Sequence, residues 1–74
     1  MHRYSEQVVR HQALTEEGKP CEILERITYE RRPAVAEPAV VNRRYDLRTG
    51  ERVNRLSDTE FEEDFSGARL RLQP

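Results

Sequence analysis

The sequence predicts a mostly β domain: a small antiparallel sheet or open barrel of five to six short strands. Three observations point there. Glycine-centred polar turns recur at 15–20 (TEEGKP), 47–52 (LRTGER) and 65–69 (FSGAR), each between segments rich in Val, Ile, Leu, Phe and Tyr, and Gly supplies the positive φ that hairpin turns and bulges require. Apolar and polar residues alternate with a period of two beside these turns. The chain has 74 residues, 35% hydrophobic and 36% charged, which allows a single domain with a thin core worth about 3 to 5 kcal/mol. Residues 1–74 are therefore read as one unit: an N-terminal hairpin over 1–32, a Pro-containing linker over 33–39 and a C-terminal β-meander over 40–74.

In the first hairpin, Cys21, Ile23, Ile27 and Tyr29 alternate with Glu22, Arg26, Thr28 and Glu30. A four-residue loop closed by Thr15 and Pro20 places Leu14 opposite Cys21, Val8 opposite Ile27 and Arg10 opposite Glu25. A three-residue loop, with Thr15 opposite Lys19, places Ala13 opposite Cys21 instead. A helix over 20–30 competes, because Pro20 suits a first helical position and Ile23, Leu24 and Ile27 have helical spacing. The strand is preferred for the β-forming types Ile23, Ile27, Thr28 and Tyr29. Pro33 and Pro38 then mark an extended crossing segment.

In the meander, a three-residue bulged turn at Arg48-Thr49-Gly50 places Tyr45 opposite Val53 and Asp46 opposite Arg52. It also sets Arg43 against Arg55, a like-charge conflict. The stretch LSDTEFEEDFSGARLRL (56–72) supports two readings. As a helix over 58–65, Ser57 and Glu60 form a capping box and Leu56 and Phe61 a hydrophobic staple, but Glu62, Glu63 and Asp64 then crowd the carbonyl end of the dipole. As a hairpin, a two-residue turn at Ser66-Gly67 pairs Phe61 with Leu72, Glu62 with Arg71, Asp64 with Arg69 and Phe65 with Ala68. The hairpin is preferred, since it gives the strictly alternating ARLRL a partner.

The pattern Tyr45-x-Leu47-x-x-Gly50, Val53-x-Arg55-Leu56-x-Asp58, Phe61-Glu62 and Gly67-x-x-Leu70 resembles the C-terminal part of short bacterial proteins of uncharacterised function, some of them plasmid-borne. It covers residues 45–72 and is built of turn glycines and alternating apolar positions. The resemblance implies a β structure for this half and brings no catalytic residues with it.

Several function classes lose support from composition. Cys21 is the single cysteine, which excludes a disulfide within the chain and fits a reducing compartment. One Cys and two His provide none of the paired zinc-ligand spacings. No apolar run has signal-peptide or membrane-span length, so a cytoplasmic chain without membrane contact is expected. The net charge is −1, too small for a global field toward nucleic acid or lipid.

No phosphate-binding glycine loop, His pair or nucleophile elbow is present. Cys21 and His11 form the best nucleophilic pair, on a diagonal of the three-residue-loop register, but such a site also needs an orienting third group and an oxyanion pocket, and a thin sheet offers little concavity. Cys21 is read as a structural thiol. The acids Asp58, Glu60, Glu62, Glu63 and Asp64 match no calcium-loop spacing and, on a strand, split between two faces.

No enzyme, cofactor or metal is expected. The expectation is a protein-interaction module that self-associates, since so small a domain gains most from a second copy. The alternative is nucleic-acid binding through the Arg-rich segment 43–55, with Arg43, Arg44, Tyr45, Arg48, Arg52 and Arg55 as the candidate surface.

Overall fold

The structure, a computed structural model, describes residues 3–74. Six strands follow one another in chain order: β1 (Arg3–Thr15), β2 (Pro20–Arg31), β3 (Ala39–Leu47), β4 (Arg52–Arg55), β5 (Glu60–Glu63) and β6 (Arg69–Leu72). Each pairs antiparallel with the next, and β6 returns to β1 to close a barrel. The expected mostly β fold is borne out, with the barrel closed. Pro20–Arg31 is strand throughout, and 58–65 contains β5 between two turns, so neither helical alternative forms.

The strands are unequal, and that inequality shapes the molecule. Strands β4, β5 and β6 have four residues each, whereas β1 has thirteen and β2 twelve. The barrel closes over only Ala13↔Leu72 to Thr15↔Leu70 on one seam and over Tyr45↔Val53 and Asp46↔Arg52 on another. Pairing of β1 with β2 continues without a bulge from Leu14↔Pro20 to Arg3↔Arg31, and β3 follows β2 out to Glu30↔Ala39. At roughly 3.3 Å per residue a strand as long as β1 spans about 40 Å, and the molecule measures 49 × 25 × 19 Å. A three-stranded arm, ordered β1-β2-β3, thus projects from the barrel. The segment read as a linker, 33–39, falls on the connection that turns β2 back into β3 at the far end of that arm, with Ala34 at φ 64° and Ala39 already the first residue of β3.

Turn chemistry fixes the registers. At the first corner Thr15 N–H donates to Lys19 O (2.9 Å) and Gly18 N–H to Thr15 O (2.9 Å); Gly18 has φ 80°. This is a type I turn completed by a left-handed residue, the three-residue loop, and it makes Ala13 face Cys21 and Val9 face Glu25. The four-residue loop is corrected: Gly18 can take the left-handed position only as the third loop residue. Arg48-Thr49-Gly50 repeats the geometry, with Leu47 N–H donating to Glu51 O (2.7 Å).

The third hairpin departs from its expected register by two residues. Phe61 pairs with Leu70, Glu62 with Arg69 and Glu60 with Arg71, and the loop is Asp64–Gly67, with Gly67 N–H donating to Glu63 O (2.8 Å). Phe65, which the two-residue turn would pair with Ala68 on the same face as Phe61, is 97% exposed. The shift sets Leu70 against Phe61 inside the barrel while Leu70 and Leu72 also meet β1 at Thr15 and Ala13. Neither expected charge pair survives, but two opposite-charge pairs form with changed partners: Glu62 faces Arg69 and Glu60 faces Arg71, while Asp64 accepts from the Asn54 amide (2.9 Å).

The core is small: Ala13, Ile23, Val53, Phe61 and Leu70 are buried, with Cys21, Tyr45, Leu47 and Leu72 packed against them. Tyr45 meets Phe61 edge-on at 5.1 Å between ring centroids, a favoured aromatic geometry.

Candidate interaction surface

Side chains on the arm alternate between two faces, and each face has its own chemistry. On the face continuous with the barrel exterior, Glu6, Arg26, Asp46 and Arg44 form a ladder. Arg26 reaches Asp46 at 3.1 Å and Glu6 at 3.3 Å, and Arg44 reaches Asp46 at 3.2 Å. Asp46 is buried beneath these guanidinium groups. Further out Glu30 accepts from the Tyr4 hydroxyl (3.1 Å) and from Arg32 (2.7 Å), and the carboxylate beside Tyr4 raises its phenol pKa.

The face continuous with the barrel interior begins at a polar junction. Glu25, with its side chain 13% exposed, accepts from His11 Nε2 (2.8 Å), Arg43 Nε (3.1 Å) and the Tyr45 hydroxyl (3.4 Å). A carboxylate offers only acceptors, so the contact requires the His11 Nε2 proton. Outward from the junction this face mixes apolar and polar side chains: Ile27 is buried, Val9 and Tyr29 are half-buried and Val40 is exposed, and Gln7 accepts from the Tyr29 hydroxyl (2.9 Å).

The two outer strands of the arm have free edges. Gln73 N–H donates to Gln12 O (2.9 Å), so even-numbered backbone groups of β1 point away from β2. The register is unbroken, and the same orientation therefore holds at Tyr4, Glu6, Val8 and Arg10. β6 stops at Leu72 opposite Ala13; no strand among the described residues pairs with β1 between Tyr4 and Arg10. Among the described residues no strand pairs with the outer edge of β3 from Ala39 to Arg44, and a bulge opposite Thr28 and Tyr29 interrupts that edge.

The sequence-derived arginine surface is divided by this geometry. Arg43, Arg44, Tyr45, Arg52 and Arg55 line one shallow cleft of about 260 Å³ where β3 and β4 separate. Arg48 lies elsewhere, in the β3–β4 turn, where its N–H donates to Glu22 O (3.1 Å). The expected conflict between Arg43 and Arg55 does not arise, because β4 pairs with β3 only at Tyr45 and Asp46. Arg43 turns to Glu25, and Arg55 pairs with Asp58. Arg43, Arg44 and Arg55 are thus each held by a carboxylate.

Cys21 and His11 share the interior face of β1 and β2, as the three-residue register requires. His11 is engaged by Glu25, and burial raises the Cys21 thiol pKa, which disfavours the thiolate. No three His, Cys, Asp or Glu side chains among the described residues gather to hold a metal ion.

Reasoning from sequence missed the junction at Glu25 and the free β1 edge. Both depend on the register, and Gly18 as the third loop residue was the signal for it. No family model, curated protein or solved structure matches the chain.

Proposed function

We propose that the chain is a non-enzymatic protein-interaction module that self-associates through its arm. The observation supporting this reading is the free β1 edge from Tyr4 to Arg10, carried on an arm that the barrel core does not cover. Unpaired N–H and C=O groups along an edge are a template for another strand. The residues flanking that edge are apolar as well as charged: Val8 is 44% exposed and Tyr4 66%. A barrel with five buried apolar side chains in its central cluster also gains stability when a second copy covers more surface.

Nucleic-acid binding has less support, since carboxylates already hold Arg43, Arg44 and Arg55. Sedimentation velocity is expected to show a dimer, and titration with random-sequence DNA or RNA at low salt only weak nonspecific association. A monomer whose salt-sensitive nucleic-acid binding weakens when Arg44, Arg48 and Arg52 become Ala would contradict the proposal.

A further inference from the structure

We infer that the β1 edge pairs with the β1 edge of a second copy, antiparallel about a two-fold axis at Val8, joining the two arms into one continuous six-stranded sheet; this rests on the self-association reading. The register follows from the order of side chains. With Val8 opposite Val8 of the second copy, Glu6 falls opposite Arg10 of the second copy, and symmetry repeats that pair on the other side. A two-fold moved one residue along the strand loses both charge pairs. Moving it two residues in either direction sets Glu6 against Glu6 or Arg10 against Arg10, like charges directly opposed.

Backbone geometry permits the same register. The outward-pointing groups of β1 belong to its even-numbered residues, and the proposed pairing sets even against even. Over Glu6 to Arg10 this gives about six interchain backbone hydrogen bonds. The pairing ends there because Gln73 occupies the Gln12 carbonyl. Arg10 has no ion-pair partner among the described residues, whereas Glu6 meets Arg26 on one side and is open on the other.

The arm's other edge does not share these properties. Around Asn42 the β3 edge carries Val40, Val41, Arg43 and Arg44 with no acid, so a two-fold there finds no opposite charge. It is also broken by the bulge opposite Thr28 and Tyr29, and bulges protect edges. The β1 edge has no bulge, no Pro and no Lys between Tyr4 and Arg10. An isologous contact about a two-fold closes on itself, so the assembly stops at two.

Charge reversal tests the register. Glu6→Arg and Arg10→Glu each put like charges opposite one another twice in a homodimer, and each dimer is expected to dissociate roughly tenfold more readily or beyond. Mixed in equal amounts, the two variants restore opposite charges at both positions, so sedimentation should show a heterodimer at concentrations where each alone is monomeric. Val8→Pro should abolish the dimer. Its barrel should persist, because the Val8 N–H points away from β2 and an edge strand tolerates Pro there; the Phe61 ring resonances report that. If the wild-type chain dimerises but the three variants dimerise equally and the mixture gains nothing, the β1 register is overturned and another surface is responsible. A wild-type chain that stays monomeric at millimolar concentration overturns the register and the self-association reading together.

Discussion

Replacing Phe61 by Ala is expected to leave the chain unfolded at room temperature, seen as collapse of amide chemical-shift dispersion and loss of a cooperative urea transition. Phe61 is one of the two largest fully buried side chains; the other is Ile23. It sits where β4, β5 and β6 meet, opposite Arg55 on one side and Leu70 on the other, with its ring against Tyr45. Removing a buried Phe costs about 3 to 5 kcal/mol, and a core in this size range supplies about as much in total. Phe61→Leu keeps most of the volume and should lower stability while preserving a cooperative transition. A folded, cooperative Phe61→Ala chain would mean that the barrel core is not what holds the domain together.

The second large effect is expected at Glu25. Its carboxylate gathers His11, Arg43 and Tyr45 where the arm leaves the barrel. Glu25→Ala takes away the acceptor from three donors and leaves the Arg43 charge beside a half-buried face without its partner. Hydrogen bonds to charged groups contribute about 1.5 to 3 kcal/mol each when well buried, and solvent around Arg43 lowers its share. A net loss of about 1 to 3 kcal/mol is expected in urea denaturation. Glu25→Gln should fall between wild type and Ala, since one amide oxygen still accepts. The Tyr45 ring should also lose its fixed contact with Phe61, visible as weaker cross-peaks between the two rings. Equal stability of wild type and Glu25→Ala would show that the junction is solvated and not structural.

Much of the fold was legible because turns and strands leave local marks. Gly18 and Gly50 announced their hairpins by being the residues able to take positive φ where a bulged turn needs it. Alternation put Ile23 and Ile27 on one face of the second strand and Phe61 and Leu70 on one face of the last hairpin, and all four are buried. Ser57 was a true local signal with an unexpected use. Its hydroxyl accepts from the N–H groups of Thr59 (3.3 Å) and Glu60 (3.1 Å), as a helix cap would, but the chain continues as β5 because Phe61 is needed inside the barrel. A cap motif satisfies two N–H groups and leaves the next turn free to be a helix or a strand.

What could not be read locally was set by closure. Whether Phe65 packs or faces water depends on which residue of β6 meets Phe61, and that is decided by β1 through Ala13 and Thr15. The arginine segment illustrates the same limit, because Arg43 and Arg55 look opposed on a flat hairpin and are drawn apart only by the divergence of β3 and β4. The length of β1 and β2 beyond the barrel was equally hidden. Arg3–Arg10 shows no regular alternation and Leu24-Glu25 breaks the period of the second strand, so nothing local marked how far the two strands run on together.

Everything proposed for the arm rests on β1 and β2 staying paired, in this register, far beyond the barrel. The most direct measurement is the set of cross-strand contacts between Hα protons by nuclear Overhauser spectroscopy. In an antiparallel pair these are strongest between residues of the non-hydrogen-bonded pairs, here Arg10 with Leu24, Val8 with Arg26, Glu6 with Thr28 and Tyr4 with Glu30. All four contacts are expected. Cross-peaks displaced by one residue, such as Val8 with Ile27, or their absence beyond Arg10, would contradict the arm and remove the β1 edge as a docking strand.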